Sequence, residues 1–327
     1  MSVKTQLLKM LEEHPGEALS GEKLAQSLGV SRAAVWKAIQ ALREQGYRIH
    51  AATNRGYSLD PNTDVLSAQG IRAGLPPKYQ GLPIEVFEEV DSTNSYARLR
   101  AVMGAPHGLV VAADSQTAGK GRLGRSFYSP GHTGLYFSVV LHPRCGYGDS
   151  LLLTAAAAVS VCESIRELYG YTPAVKWVND IYWQGKKICG ILCEALGDFE
   201  SGMVESAIVG IGINCTTAQF PEELQGTAGA LGPARTGRSR LAAQITAHLL
   251  DWQENLLDGR LMEEYRRLNF LLGEPVRYRI GGTWHTGLAV DINERGNLVV
   301  KEQSGKLRVL SSGEVSQVRQ AQRAPES

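Results

Sequence analysis

The sequence has little excess charge of either sign, since 34 lysine and arginine residues stand against 33 aspartate and glutamate residues in 327 positions. With so small a net charge, the sequence predicts no polyelectrolyte partner that is attracted by the chain as a whole. Long hydrophobic runs are also missing, because the longest, Leu151 to Cys162, is too short to cross a bilayer and is typical of a buried helix. Nothing at Met1 resembles a signal peptide, so no membrane partner is expected.

Cysteine is scarce, with five scattered residues at positions 145, 162, 189, 193 and 215. Cys189 and Cys193 fall on one face of the apolar run Ile188 to Cys193, but their spacing matches no zinc signature and no further ligands accompany them. Buried thiols in a reducing compartment are the preferred interpretation. We therefore expect a cytoplasmic protein, and no metal site is predicted from these residues.

Two common phosphate-binding motifs are absent from the glycine-rich stretch at residues 114–129. The P-loop pattern does not occur, and G-K-G-R-L-G fits the dinucleotide fingerprint only in its letters, since no acidic residue follows at the required distance. Glycines among cations can still let backbone N–H groups approach an anion while its charge is neutralised. An anion-binding loop and a solvated surface loop both remain open readings for Gly119, Lys120, Gly121, Arg122, Gly124 and Arg125.

The first sixty residues predict a winged helix-turn-helix. Apolar residues at helical spacing place helices from Thr5 to Glu12, after Ser20, and from Ser31 to Gly46, and the last two are joined by a tight turn. Two short strands, Tyr47 to Ala51 and Gly56 to Leu59, predict a wing with its turn at Asn54–Gly56.

The third predicted helix leaves several side chains outside its apolar stripe. Residues 20–60 also carry six basic against three acidic side chains. A helical adaptor that only packs on its neighbour is the alternative, but the local charge and the wing favour DNA binding. The expected DNA contacts are Ser31, Arg32, Ala33, Trp36, Lys37, Gln40 and Arg55.

Between residues 80 and 270, polar groups lie at the ends of predicted strands. Asp91 to Asn94 indicates either a plain helix cap or a hydroxyl and amide cluster at a site. Lys176, Asn179 and Asp180 are unusual within a predicted strand from Ala174 to Tyr182 unless they line a site.

Two further strands of this region carry signals of their own. Lys187 opens the strand Ile188 to Cys193, where an edge charge is the simpler reading. Gly210 and Gly212 share one face of a later strand, which indicates a close contact there.

Five stretches, in this order, resemble the biotin–protein ligases that also repress the biotin operon. They are Asp91-Ser-Thr-Asn94, Gly119-Lys-Gly-Arg-Leu-Gly-Arg125, Lys176-Trp-Val-Asn-Asp180, Lys187-x-x-Gly-Ile-Leu192 and Gly210-Ile-Gly-Ile-Asn214. The resemblance covers nearly the whole chain. Two departures are Lys120, where the family commonly has arginine, and Val178, where it usually has proline. Lysine keeps the charge of arginine but not its bidentate fork.

The resemblance implies a multidomain α/β protein. We expect a winged helix-turn-helix over residues 1–63, a mixed α/β ligase domain with helices over a β-sheet over 64–272, and an SH3-like β-barrel over 273–320. Short strands separated by glycine turns after Glu274 favour such a barrel independently. Residues 321–327 are expected to form a tail.

The resemblance also implies a two-step reaction with ATP and Mg²⁺. Biotin is activated as biotinyl-5′-AMP and then transferred to a lysine of the biotin carboxyl carrier protein of acetyl-CoA carboxylase. The other implied partners are operator DNA and, once the adenylate is bound, a second copy of the chain.

Site residues are assigned by the same similarity. The implied catalytic residues are Lys187 and Arg122. The implied biotin contacts are Ser92, Thr93, Asn94, Gln116, Lys120, Gly121, Arg122 and Lys187. The implied ATP or adenylate contacts are Gly119, Arg122, Arg125, Lys176, Asn179, Asp180 and Asn214.

Two alternatives are weighed against this reading. A lipoate or octanoyl ligase shares the fold, although the quoted stretches fit the biotin pattern better. A regulator that senses biotin without ligating it would not need Lys187 or the glycine-rich loop, because a sensor performs no activation chemistry.

Overall fold

The computed structural model describes residues 3–317, apart from residues 15, 53–54, 62, 198–201, 233–236, 281 and 314. The predicted wing residue Asn54, the end of the predicted barrel at 318–320 and the predicted tail at 321–327 lie outside the described residues. Within the described ranges, no helix combines the length and the apolar character needed to span a membrane.

Three helices and a hairpin form the N-terminal region: α1 (Val3–Glu12), α2 (Gly21–Leu28), α3 (Arg32–Glu44), β1 (Ile49–Ala52) and β2 (Gly56–Leu59). Ser20 caps α2, and Gly29 ends it in the left-handed conformation with φ 63°. Ser31 caps α3 by accepting the N–H of Ala34 at 3.2 Å. These caps produce the tight turn between α2 and α3, and the predicted winged helix-turn-helix is confirmed.

A seven-stranded mixed sheet forms the central region, in the order β3-β4-β5-β9-β8-β7-β6. Among its described strand pairs, β3–β4 alone is parallel. The elements are α4 (Ala68–Gly74), β3 (Ile84–Val90), α5 (Thr93–Val102), β4 (Leu109–Gln116), β5 (Gly134–Leu141), α6 (Ser150–Tyr169), β6 (Ala174–Lys176), β7 (Asp180–Trp183), β8 (Lys186–Leu196), β9 (Ser206–Asn214), α7 (Arg238–Glu254) and α8 (Arg260–Leu268).

Helices cover both faces of this sheet. Val110 and Ala112 of β4 join a buried cluster with α6 and α7, whereas Leu109 and Val111 join another with Ala97 of α5. This alternation along one strand is what a sheet buried on both faces requires. The predicted helices over a mixed sheet are confirmed.

One predicted strand is wrong. The sequence predicts a continuous strand from Ala174 to Tyr182, but the chain forms two antiparallel strands, β6 and β7, around a turn at residues 177–179. The turn is anchored from both sides, since Tyr265 donates its hydroxyl to Val178 O at 2.7 Å and Trp177 donates Nε1–H to Gly296 O at 2.9 Å. It therefore carries Asn179 out of the sheet.

The C-terminal region is an antiparallel sheet in the order β13-β12-β11-β10-β14. Its strands are β10 (Pro275–Ile280), β11 (Thr283–Ile292), β12 (Leu298–Lys301), β13 (Leu307–Leu310) and β14 (Val315–Gln317). The predicted barrel is not closed, because β13 and β14 are separate edges among the described strands. Closure is not needed to bury the inner face, since Val276, Ala289 and Leu298 pack into the same buried cluster as the ligase core.

Candidate active site

One cavity of about 360 Å³ opens between the central sheet and the glycine-rich loop. Every residue of the central region that the sequence assigned to the site lines this cavity, except Gly119. The lining residues from that prediction are Ser92, Thr93, Asn94, Gln116, Lys120, Gly121, Arg122, Arg125, Lys176, Asn179, Asp180, Lys187 and Asn214.

A network of buried and half-buried hydroxyl and amide groups lines the cavity. Ser92 caps α5, which buries Thr93 directly behind it. The N–H and the hydroxyl of Thr93 both donate to Gln116 Oε1, at 2.8 and 3.1 Å. Gln116 in turn donates Nε2–H to Ser129 Oγ at 2.9 Å. Such fixed donors and acceptors suit a neutral polar ligand, since a buried ligand lacking matching groups would leave them unpaired.

Asn94 also lines the cavity, but its amide is held by the protein. Its Oδ1 accepts from Ser138 Oγ at 2.8 Å, and its Nδ2 donates to Leu192 O at 3.2 Å and to Glu194 Oε2 at 2.7 Å. Both amide protons are therefore engaged. Gly210 explains how Asn94 fits, because a Cβ at that position would overlap Asn94 Oδ1.

Cations also line the cavity. Lys187 Nζ lies 2.7 Å from Asp180 Oδ1, and Arg122 donates to Asn179 Oδ1 at 3.3 Å. The turn at 177–179 presents Asn179 to Arg122. Asn179 is fixed in this position because its own amide donates to Ile191 O at 2.7 Å.

Burial lowers the pKa of Arg122 from its ordinary value, while the nearby charge of Asp180 opposes this. The guanidinium stays protonated, because the pKa of arginine lies far above the physiological range. A partly desolvated cation of this kind gains from an anion that enters the cavity.

The glycine-rich loop is folded on itself. Gly121 donates its N–H to Arg125 O at 2.7 Å, and Phe127 donates its N–H to Gly119 O at 2.8 Å. Gly119 lies behind the cavity, where a Cβ would come within 2.5 Å of Phe127 O. The N–H of Gly121 is therefore engaged within the loop, and Lys120, Arg122 and Arg125 line the cavity.

Phe127 lies against the floor of the cavity. A Cβ at Gly212 would approach its ring to 2.6 Å, and one at Gly190 would approach it to 3.1 Å. The close contact predicted for the face of Gly210 and Gly212 is thus confirmed, with Asn94 and Phe127 as the two groups that make it.

Comparisons with known proteins match all three regions. The family descriptions are "HTH domain" over residues 3–58, "Biotin/lipoate A/B protein ligase family" over 86–214 and "Biotin protein ligase C terminal domain" over 271–317. The bifunctional ligase/repressor BirA of Bacillus spizizenii is 33% identical over 95% of this chain and 98% of its own. The chain belongs to the biotin protein ligase family.

Two further members of the family are similar to this chain over different lengths. The bifunctional ligase/repressor BirA of Escherichia coli is 32% identical over 92% of this chain and 93% of its own length. The structure of the Aquifex aeolicus biotin protein ligase in complex with biotin and ATP aligns with a TM-score of 0.60 and 29% identity. That alignment covers 72% of this chain and 99% of the other.

The predicted DNA contacts form a second surface. Among them, Gln40 is half-buried, whereas Trp36 is 53% exposed and the others are also exposed. The exposed set is Ser31, Arg32, Ala33, Trp36, Lys37 and Arg55. The structure thus brings six of the seven residues to the surface of the winged helix.

Sequence reasoning missed four side chains of the biotin ligase cavity and its support. Ser138 was detectable as a buried serine within an apolar strand, but Glu194, Phe127 and Phe220 carry no local signal. Phe220 pairs with Tyr128 at 6.3 Å between ring centroids, and both residues line the cavity. These aromatic contacts join segments far apart in the chain, which a local pattern cannot reveal.

Proposed function

We propose that this chain is an ATP-dependent biotin–protein ligase that forms biotinyl-5′-AMP and biotinylates the biotin carboxyl carrier protein. The observation that carries this proposal is the juxtaposition, in one cavity, of the Thr93–Gln116 network and the cations Lys187 and Arg122. The network suits the ureido ring of biotin, and the cations suit its carboxylate and the α-phosphate of ATP. The Aquifex aeolicus structure, which holds both biotin and ATP, supports the same pairing of ligands.

In the first step, a carboxylate oxygen of biotin attacks the α-phosphorus and pyrophosphate leaves. Negative charge grows on the phosphoryl oxygens, where Lys187 and Arg122 stabilise it. Lys187 has three ammonium protons and uses one with Asp180 at 2.7 Å, so it keeps donors for the reacting groups. In the second step, the amine of the carrier lysine attacks the anhydride carbonyl and AMP leaves.

The remaining assignments complete the site. We assign Ser92, Thr93 and Gln116 to biotin, with Asn94 orienting the network. Lys176, Asn179, Asp180, Arg125 and Asn214 are assigned to the nucleotide.

Mg²⁺ would enter with ATP. Among the described residues, no group of three or more histidine, cysteine, aspartate or glutamate side chains could hold a metal ion. The lone carboxylate of Asp180 fits Mg²⁺ bound chiefly through phosphates and water. The ion would neutralise the charge of the triphosphate.

Lys187→Ala tests the chemistry, and the neighbouring Lys186→Ala is its matched control. Lys186 does not line the cavity; it donates to Gly226 O instead. Pyrophosphate release is measured with ATP plus biotin, and with ATP plus lipoate. We expect Lys187→Ala to lose about a hundredfold or more in rate while Lys186→Ala stays within about twofold.

Each other outcome has a defined meaning. Equal rates for the two variants would show that Lys187 is only an edge charge. Turnover with lipoate alone would identify a lipoate ligase, and no pyrophosphate release with either acid would identify a sensor.

We also propose that the chain represses biotin synthesis genes from the cytoplasm. The exposed face of α3 and the wing support DNA binding, and the ligase/repressor relatives support its use in repression. Lys37→Ala should weaken binding to DNA upstream of biotin synthesis genes and reduce the salt slope by about 1, as expected for a phosphate contact. Lys9→Ala on α1 is the control, and equal slopes for both variants would remove Lys37 from the interface.

We place the dimer contact at the free half of β8. This strand pairs with β9 along residues 189–196, but its pairing with β7 ends at Gly190. No described strand covers the other edge of residues 193–196, and an open edge is a template for a second copy.

A charge placed on this edge tests the dimer. Sedimentation should show that biotin plus ATP raises the dimer fraction and that Ala195→Lys prevents the rise. Glu88→Lys, on the opposite edge strand β3, should leave it unchanged. Dimers that form equally in both variants would show that the contact lies elsewhere.

We also propose domain boundaries at 1–63, 64–272 and 273–320.

A further inference from the structure

Arg238, the first residue of α7, is a buried cation between two carboxylates that play no part in the cavity. Its side chain is 4% exposed. Its Nε donates to Asp64 Oδ2 at 3.0 Å, and its Nη1 donates to Asp114 Oδ1 at 2.7 Å and to Gly134 O at 2.9 Å. A buried charge is tolerated only when it is paired, so these contacts fix the guanidinium in one place.

Asp64 belongs to the connector between the winged helix and α4. It also accepts the backbone N–H of Arg238 at 2.8 Å. The next residue of α7, Ser239, holds the connector twice, because its hydroxyl donates to Val65 O at 2.9 Å and accepts the N–H of Ser67 at 3.0 Å. The first turn of α7 thus binds the connector through both backbone and side-chain groups.

Asp114 lies near the end of β4, three residues before the glycine-rich loop begins at Thr117. Its other oxygen, Oδ2, accepts the N–H of His132 at 3.0 Å and lies 2.9 Å from His132 Nδ1. His132 stands where the chain returns towards β5. A single carboxylate therefore joins the two ends of the segment 114–132, and Arg238 determines where that carboxylate sits.

We propose that Arg238 is a positioning residue that holds the base of the glycine-rich loop and ties it to the connector of the winged helix. It acts through Asp114 on the loop and through Asp64 on the connector, without touching a ligand. The inference rests on the proposed function for its kinetic part, since the loop carries Arg122. Loosening either contact should loosen the loop, so the adenylate should dissociate faster.

Asp64→Asn and Asp114→Asn test the two contacts separately. Asparagine keeps the shape of the side chain and one oxygen acceptor, whereas removing Arg238 itself would take the shared cation from two partly buried carboxylates and endanger folding. Glu85→Gln is the control, because it weakens an ion pair with Arg100 and a 2.9 Å hydrogen bond from Tyr96, both away from the loop.

The first measurement is hydrogen exchange of the amides at 117–131 without ligands. The second is the dissociation rate of biotinyl-AMP, with the KM for ATP and kcat. We expect both Asn variants to raise loop exchange and adenylate dissociation about tenfold, with kcat at saturating ATP within about twofold. In the Asp64→Asn/Asp114→Asn double variant, the fold-increase in adenylate dissociation should be smaller than the product of the two single fold-increases, because both substitutions act through Arg238.

A purely structural role would lower the melting temperature in all variants, including Glu85→Gln, and leave loop exchange unchanged. Unchanged exchange and adenylate dissociation in Asp64→Asn would overturn the link to the connector. Unchanged values in Asp114→Asn would overturn the role in the loop. If the wild-type chain releases no pyrophosphate, the proposed function fails, while the exchange measurement still decides whether Arg238 orders the loop.

Discussion

Glu12 at the end of α1 should make the docking of the winged helix on the ligase domain depend on pH. Its Oε1 faces Gly70 of α4, where a Cβ would approach it to 3.3 Å. Its Oε2 is buried and has no hydrogen-bond partner among the described residues. Burial raises the pKa of Glu12 from 4.5 to about 7. A negative charge is also unfavourable at the C-terminal end of a helix, where the helix dipole is itself negative.

The sign follows from proton binding. Between pH 4.5 and about 7 the folded protein holds a proton on Glu12 that the unfolded chain has released, so stability falls as the pH rises through this window. The rise in pKa corresponds to a loss of about 3 kcal/mol in the free energy of unfolding when Glu12 is charged. This is an upper value, because part of the side chain still meets water. The charged carboxylate near pH 8 should therefore loosen the contact between α1 and α4.

Glu12→Gln removes the charge and keeps the shape. We expect the variant and the wild type to have equal stability near pH 5 and the variant to be more stable by about 2 kcal/mol near pH 8. Hydrogen exchange of the α1 and α4 amides is the assay, because a chain with several domains need not unfold in one step. Glu13→Gln, in an exposed pair with Lys9, is the control. The same pH dependence in both variants would refute the reasoning.

Three further predictions concern the ligase. Gly210→Ala should raise the KM for biotin more than it lowers kcat in pyrophosphate release, because its Cβ displaces Asn94; an unchanged KM would contradict this. The hydrogen bond with Glu163 raises the pKa of His248, so protonated His248 stabilises the fold. In thermal unfolding, His248→Gln should therefore lose most stability below about pH 6.5, and the loss should vanish as the pH rises through the raised pKa. A loss of stability that does not depend on pH would argue against the pairing. Trp177→Phe should cost about 1–3 kcal/mol and raise hydrogen exchange in β12, because it leaves a buried carbonyl unpaired, and unchanged exchange would show that this bond does not anchor the sheet.

The helix ends were the best predicted part of the fold. Ser20, Gly29 and Ser31 signal their structure within one turn of chain, because capping involves only neighbouring backbone groups. The division of the predicted strand at residues 177–179 was missed, since Tyr265 and the C-terminal sheet hold that turn from far along the chain.

The candidate site followed the same rule. Residue types that suit biotin and phosphate were visible, and a resemblance placed them in one family. Their partners were not visible, because Glu194 reaches Asn94 across 100 positions and Arg238 reaches Asp64 across 174. Such pairings are set by the order of strands in the sheet and leave no periodic trace in the sequence.

The open C-terminal sheet limits which regions of this protein can be exchanged or removed. Its inner side chains share one buried cluster with the ligase domain, whereas the winged helix has a buried cluster of its own, with Leu8, Ile39 and Leu42 at its centre. A gene fusion that exchanged the N-terminal region would leave both cores intact and could redirect the ligase to another promoter. A chain truncated before β10 would instead expose the apolar face of the ligase domain that this sheet covers, and it should aggregate, so the ligase domain needs its C-terminal region to fold.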